Sequence, residues 1–209
     1  MKPDPSLKKR LIVAAIIVPV LVVFSWLGRW PFALLIAAVT GLAAVELWRL
    51  FQSGDYSPSL VLIILFVIGA VLLRYWLGLK FTDLYLAVLV LAAMLYHVLS
   101  QKPNRNHSAA SLFITIGGPL YVGWLGAYAV SIRNLENGAY WILLVLVIIA
   151  MADTGAYAVG RATGRHKMFP LISPKKSWEG YIGGVITGIL SGWGVAALWQ
   201  TIIPSIHPI

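Results

Sequence analysis

AYWILLVLVIIAMADTGAYAV, residues 139–159, is an apolar run interrupted by a single charge, Asp153. A helix needs about 20 mostly apolar residues to cross the hydrocarbon core of a bilayer, and in lipid a helix satisfies all of its own backbone polar groups. The run therefore predicts a membrane-spanning helix. Working outward, six more stretches come close to that length: Leu11 to Gly28, Pro31 to Phe51, Ser59 to Leu79, Asp83 to Ser100, Leu112 to Ile132, and Tyr181 to Ile203. The breaks carry turn residues, among them Gly28 with Pro31, Gly54 with Pro58, Pro103 with Asn104, and Asn137 with Gly138. Gly117, Gly118 and Pro119 interrupt the fifth span and are expected to bend or break it. Trp30, Trp48, Tyr75, Trp76, Tyr140 and Trp141 lie near span ends, where amphipathic rings straddle the interface.

The whole composition agrees. Of 209 residues, 60% are hydrophobic and 11% charged, and the mean hydropathy is +0.86; a soluble domain with those values would expose large apolar patches to water. The expected fold is an all-α polytopic transmembrane bundle of about seven spans forming a single integral membrane domain over residues 1–209. Six spans fall within 11–159, a basic loop within 160–180, and the seventh span over 181–203. A secretory signal at Lys8, Lys9, Arg10 and the following apolar run is disfavoured, because Ser25-Trp26-Leu27-Gly28-Arg29-Trp30 offers no small-x-small cleavage pattern.

Charge sets the expected orientation. With a cytoplasmic N-terminus that side carries twelve cations: Lys2, Lys8, Lys9, Arg10, Arg49, Lys102, Arg105, Arg161, Arg165, Lys167, Lys175 and Lys176. The other side carries Arg29, Arg74, Lys80 and Arg133. The positive-inside rule thus predicts an inside N-terminus. The net charge of +9 sits in loops beside spans and forms no long amphipathic stripe, which points to anionic membrane lipids and phosphorylated substrates and away from nucleic acid. There is no cysteine, so disulfides and thiolate metal sites are excluded.

A carboxylate facing lipid costs several kcal/mol, so Asp153 is expected to face the bundle interior, water, a cation or a metal; a purely structural polar contact is the plainer alternative. Tyr157 and Gly160 share its helical face. The longest polar stretch follows, RATGRHKMFPLISPKKSWEG at 161–180, with Arg161, Arg165, Lys167, Lys175 and Lys176 as cations, His166 as a sixth when protonated, and Glu179 as its one acid. A positive-inside loop would look much the same. Ser173 and Pro174, however, have the form of an N-cap and first-turn proline, predicting a helix start that presents Lys175, Lys176 and free N–H groups to phosphate. Glu179 fits three roles equally: orienting a lysine, positioning a metal, or complementing the helix start. Gly180, Gly183, Gly184, Gly188, Gly192 and Ala196 then give the last span a small-residue face for close approach of another helix, or of a second copy in a homodimer.

Asp153-Thr154-Gly155-Ala156-Tyr157, Gly160-Arg161, Gly164-Arg165-His166-Lys167 and Ser173-Pro174-Lys175-Lys176-Ser177-Trp178-Glu179-Gly180 with Gly183-Gly184 together resemble the bacterial phosphatidate cytidylyltransferase (CDP-diacylglycerol synthase) family. Weaker agreement extends upstream to Lys9-Arg10, Glu46-Leu47-Trp48-Arg49-Leu50 and Gly118-Pro119-Leu120-Tyr121-Val122-Gly123. The resemblance implies a multi-pass enzyme of the bacterial inner membrane with a cytoplasmic active face. In its reaction the phosphate of phosphatidic acid attacks the α-phosphorus of CTP, giving CDP-diacylglycerol and diphosphate, with Mg²⁺ as cofactor. It implies Asp153, Lys175 and Lys176 as catalytic residues, Asp153 as metal ligand, and Arg161, Lys167, Ser173, Ser177, Tyr157 and Glu179 as substrate or phosphate contacts. The family continues into an acidic residue before a Ser-x-x-Lys-Arg element and a Pro-Gly-His-Gly-Gly-x-x-Asp-Arg-type signature. No acid follows Glu179 in this sequence, so it is expected to be a C-terminally truncated piece of a longer product. A short non-catalytic homologue that binds acidic lipid or a membrane partner is the second reading, and a transporter, suggested by Asp153 and the interrupted fifth span, the third.

Overall fold

Turn residues at Gly28, at Gly54 to Ser59 and at Asn137 end one helix and begin the next. A computed structural model of the chain describes residues 17–100 and 108–202. Ser59 caps a helix by accepting from the Leu62 N–H at 3.4 Å, Gly28 takes φ +129° ahead of another, and Asn137 takes the left-handed conformation at φ 54° before a third. In chain order the helices are α1 (Ile17–Leu27), α2 (Arg29–Gln52), α3 (Leu60–Trp76), α4 (Thr82–Leu99), α5 (Ser108–Gly118), α6 (Leu125–Arg133), α7 (Gly138–Thr163) and α8 (Trp178–Ile202). Between α7 and α8 the strands β1 (Lys167–Phe169) and β2 (Ser173–Ser177) form an antiparallel hairpin.

The fold is all-α apart from that hairpin, as the hydropathy pattern predicts. Five helical runs are long and apolar enough to cross a membrane: Arg29–Gln52, Thr82–Leu99, Ala109–Arg133, Gly138–Thr163 and Trp178–Thr201; Ile17–Leu27 and Leu60–Trp76 are apolar but shorter. Their outward faces stay greasy, with Leu42, Val61, Leu91, Phe113 and Trp193 all exposed, which suits a surface bathed in lipid. Residues 11–16 of the first expected span, Ile203 of the last, and the cations Lys2, Lys8, Lys9, Arg10, Lys102 and Arg105 lie outside the described residues.

Two expectations are corrected. The fifth span is not broken at Gly117-Gly118-Pro119: α5 passes through a π-helical segment, Pro119–Trp124, directly into α6. Proline has no N–H for the regular ladder and its ring crowds the preceding turn, and one widened turn absorbs both while the helix continues. Nor does a helix begin at Ser173-Pro174. Ser173–Ser177 is strand β2, and the N-cap lies four residues later at Ser177, whose Oγ accepts from the Gly180 N–H at 3.3 Å. Proline is tolerated on a two-stranded edge where its missing donor costs nothing, and the pairing slips register between Lys167↔Ser177 and Phe169↔Ser173, the interval that holds Pro174.

The described residues divide into two compact units, those within 19–136 and those within 137–202 together with 17 and 18. In the first, Phe32, Ala33, Ile36 and Ala44 of α2 are buried, as are Ile63, Val67, Ala70 and Val71 of α3. Gly123 lets the π segment ride on α3, where an added Cβ would meet the Val67 Cα at 2.7 Å. Arg74, counted by sequence among the cations of the outer side, is wholly buried, its guanidinium carbon 4.1 Å from the Trp124 ring centre and 4.4 Å from that of Tyr128. Two aromatic faces thus hold a desolvated cation.

The second unit is built on α7 and α8. Ile148, Ala152, Ala156 and Gly160 repeat every four residues on α7, and Gly180, Gly184, Gly188 and Gly192 do so on α8. The two ridges meet antiparallel. A Cβ on Gly180 would lie 2.9 Å from the Ala156 carbonyl oxygen, one on Gly184 2.9 Å from that of Ala152, and one on Gly192 2.9 Å from Ile148 Cδ1. The small-residue face read from the sequence is therefore covered by α7 of the same chain. Thr187 Oγ1 also donates across the contact to the Met151 carbonyl at 3.1 Å. Lipid tails supply no hydrophobic drive between helices, so this backbone-to-backbone approach is what holds the pair.

Gly155→Ala tests it, because the new methyl would strike Thr187, with Cγ2 at 2.7 Å and Cβ at 2.8 Å. Overpacking of this kind costs roughly 1–3 kcal/mol, so thermal unfolding in detergent is expected at lower temperature. Thr187→Ala in that background should recover part of the loss, since Cγ2 and Oγ1 go while Cβ stays. An unchanged midpoint in Gly155→Ala would contradict the packing.

Candidate functional site

The candidate residues sit on α7, on the hairpin, and on the first turn of α8. Asp153, Tyr157 and Arg161 follow one another at steps of four along α7, beside the ridge that packs on α8. At 1.5 Å per residue the stripe from Asp153 to Arg161 is roughly 12 Å long. Arg161 Nη1 donates to the Tyr157 hydroxyl at 2.8 Å, with its guanidinium 6.0 Å from that ring's centre. Tyr157 thus fixes the arginine near the hairpin end of the helix. Asp153 is exposed, makes no hydrogen bond or ion pair among the described residues, and lines a cavity of about 360 Å³ between α7 and α8 with Ile148, Ala152, Tyr181, Val185 and Ile189. A lone carboxylate among apolar walls is costly unless a cation or donor meets it. It is the cavity's one acidic group.

The hairpin is closed at its root by Glu179. Its carboxylate accepts from the His166 backbone N–H at 3.1 and 3.3 Å and meets His166 Nδ1 at 2.6 Å, while the Trp178 N–H donates to the His166 carbonyl at 3.0 Å. Of the three roles open to Glu179, the structure fits the complement to the helix start, since Glu179 stands in the first turn of α8, and it adds another: it clasps the start of the hairpin to the start of α8. Below the clasp, Gly164 ends α7 with its N–H on the Gly160 carbonyl at 3.1 Å. A Cβ there would overlap the Gly160 oxygen and come within 2.6 Å of Ser177 Oγ. Ser177 is buried and engaged as the helix cap.

Lys167, Lys175, Lys176 and Arg165 are all exposed, and none of their side chains has a hydrogen bond or ion pair among the described residues. Glu179, the nearest acid in sequence, is already occupied by His166. The loop therefore presents unneutralised positive charge from a rigid root, an arrangement suited to a polyanion. Ser173 is half-buried at the start of β2. Among the described residues no three His, Asp or Glu side chains gather to hold a metal ion, so no protein cage is built. A single carboxylate does fit the manner in which Mg²⁺ is usually held, with substrate phosphates and water completing its shell.

Sequence reasoning named the stripe and the cations but missed Tyr181 as a cavity wall and His166 as the partner of Glu179. The first is visible only once the register of α7 on α8 is known. The second joins residues thirteen apart across a hairpin that had been read as loop.

Residues 8–207, nearly the whole chain, match the model of the cytidylyltransferase family. The chain belongs to that family. It is 30% identical over 208 residues to the phosphatidate cytidylyltransferase of Bacillus subtilis, covering 97% of this chain and 76% of that protein. Shorter matches include the phosphatidate cytidylyltransferases of Staphylococcus saprophyticus, 37% identical over 95 residues, 46% of this chain and 35% of the relative, and of Mycobacterium bovis, 37% identical over 81 residues, 39% of this chain and 25% of the relative.

Glu179→Ala should release the hairpin root without separating α7 from α8. Hydrogen exchange is expected to quicken several-fold at the His166 and Trp178 amides while those of 142–150 keep their protection. Unchanged protection at His166 would show that the clasp does not hold the loop.

Proposed function

We propose that this chain transfers the cytidylyl group of CTP to phosphatidic acid, releasing diphosphate and forming CDP-diacylglycerol for phospholipid synthesis. A phosphate oxygen of phosphatidic acid attacks the α-phosphorus of CTP. The new P–O–P bond forms as the bond between the α-phosphorus and the bridging oxygen to the β-phosphate breaks, and the electron pair leaves with diphosphate. Both partners are anions and the nucleophile needs no base, so the protein has to neutralise charge and align the groups.

The observation that carries this reading is the hairpin's set of cations without acid partners, rooted beside the stripe Asp153-Tyr157-Arg161 in a member of this family. Lys167, Lys175, Lys176 and Arg165 would hold the triphosphate and offset charge as it moves to the leaving diphosphate. Arg161, steered by Tyr157, would lie between hairpin and cavity, where the lipid phosphate arrives. The apolar walls Ile148, Val185 and Ile189 suit the glycerol and first acyl carbons of the lipid. Asp153 would repel a triphosphate unless a cation came between them, which supports Mg²⁺ carried in on the nucleotide with Asp153 as its protein ligand; such an ion supplies charge stabilisation at the phosphates.

The location follows as part of the proposal: a bacterial inner membrane with the hairpin on the cytoplasmic side. The distribution of Lys and Arg supports that orientation, and CTP is then available from the cytosol without crossing the bilayer. The transporter alternative loses its main support, because the fifth span runs unbroken from Ala109 to Arg133.

In liposomes containing phosphatidic acid, with CTP and Mg²⁺, the protein is expected to form CDP-diacylglycerol. Lys176→Ala and Asp153→Asn should each lower turnover by about 100-fold, the scale of losing one aimed charge at a reacting phosphate, with membrane insertion unchanged. Wild-type turnover in both variants would remove those residues from the mechanism, and nucleotide binding without product in the unaltered protein would favour a binding role.

A further inference from the structure

The tip of the hairpin has a composition that neither the fold nor the phosphate site explains. Its turn is Phe169-Pro170-Leu171-Ile172, closed by the Ile172 N–H on the Phe169 carbonyl at 3.2 Å, with proline at the position where its fixed φ suits a turn. The side chains it displays are apolar: Leu171 is 100% exposed, Ile172 87% and Phe169 54%. Turns facing water are ordinarily made from Gly, Asn, Asp and Ser. This one sets Leu171 and Ile172 almost fully exposed at the turn between the two strands.

Three layers follow one another along the loop. The tip is apolar. Behind it stand Lys167, Lys175, Lys176 and Arg165, exposed and without partners among the described residues. At the root the Trp178 and Tyr181 rings pack edge to face at 6.1 Å, each about half exposed, at the start of a helix long and apolar enough to span. Trp and Tyr settle at the membrane boundary, so the root marks the level of the headgroups. From Ser177 to Leu171 an extended strand reaches at most roughly 20 Å at 3.3 Å per residue, enough for the loop to lie along that boundary and return its tip to the leaflet. Apolar groups beyond a belt of cations is the amphipathic arrangement that binds an anionic bilayer surface.

We propose that the hairpin docks on the bilayer that holds the chain, with Phe169, Leu171 and Ile172 in the boundary of the acyl region and the cations at headgroup level, where anionic lipid draws the loop down and CTP, once bound, takes the lipid's place on them. This deepens the proposed function and rests on it for one purpose only: the docked loop would gather phosphatidic acid from the leaflet in two dimensions and hand its headgroup to the adjacent site. The docking itself requires no turnover.

The absence of native cysteine makes the test direct. Leu171→Cys, carrying an environment-sensitive fluorophore, is placed in vesicles of phosphatidylcholine with or without phosphatidic acid, and Leu190→Cys on the exposed face of α8 serves as the lipid-facing reference. The Leu171 label is expected to shift its emission to the blue, to be quenched by spin-labelled acyl chains but not by iodide, and to respond more strongly when phosphatidic acid is present at low salt. A water-like spectrum with iodide quenching, while the Leu190 label is quenched from the lipid, would overturn the proposal. So would a label shielded from both quenchers, which would mean that protein covers the tip. As a second measurement, Leu171→Asp with Ile172→Asp should raise KM for phosphatidic acid several-fold and leave KM for CTP and kcat unchanged; an unchanged KM for the lipid would remove the delivery role. An inactive protein whose tip is quenched from the lipid sinks the enzymatic reading alone, and an active protein whose tip stays in water sinks docking alone.

Discussion

Everything in the second unit depends on how closely α8 lies against α7. Four-residue ridges on both helices, Gly180-Gly184-Gly188-Gly192 and Ile148-Ala152-Ala156-Gly160, bring glycine backbone against the Ala152 and Ala156 carbonyls, where even one methyl would have to displace backbone atoms. Contacts of this kind are individually small, of the order of dispersion terms and Cα–H···O interactions, and they act only while the spacing is kept. That spacing sets the width of the cavity beside Asp153 and the distance the connecting loop must bridge. It leaves the hairpin little choice: its two ends start from helices already in contact, and Gly164, Ser177 and Gly180 crowd together beneath it.

The division of labour among the charged groups then becomes clear. Glu179 could have cancelled one of the lysines; by holding His166 at 2.6 Å and its backbone N–H it leaves all of them uncancelled. Tyr157 does the corresponding work for Arg161, taking one guanidinium N–H through a neutral hydroxyl and so orienting the cation without neutralising it. Charge kept free but held in position can respond to a polyanion without first breaking a salt bridge, which is the sense in which a site is preorganised.

Much of this could be read directly from residues. Long apolar runs bounded by Gly, Pro and Asn gave helix limits within a few positions, since in lipid hydropathy and length decide the element. The glycine spacing of four announced a close helix contact, and the motif from Asp153 to Gly184 announced the family. The errors came where one local signal has two structural meanings. Ser-Pro at 173–174 marks a helix start or an edge strand equally well, and only the pairing of β1 with β2 decides between them. Gly-Gly-Pro at 117–119 breaks a helix unless a π turn takes up the missing donor. Arg74 counts in the sequence simply as a cation of the outer side, yet Trp124 and Tyr128, some fifty residues away, enclose it. Each of these was settled by a residue distant in sequence.

Cytidylyl transfer is expected to depend on the glycine contact between α7 and α8, since that contact sets the width of the cavity beside Asp153. Turnover of CTP and phosphatidic acid by Gly184→Ala and Gly194→Ala, compared at equal helix content in the same liposomes, tests it most directly, because a Cβ on Gly184 meets the Ala152 oxygen at 2.9 Å whereas one on Gly194 meets nothing within 4 Å. CDP-diacylglycerol formation should fall steeply in the first and stay unchanged in the second. Equal, undiminished turnover in the two would contradict it.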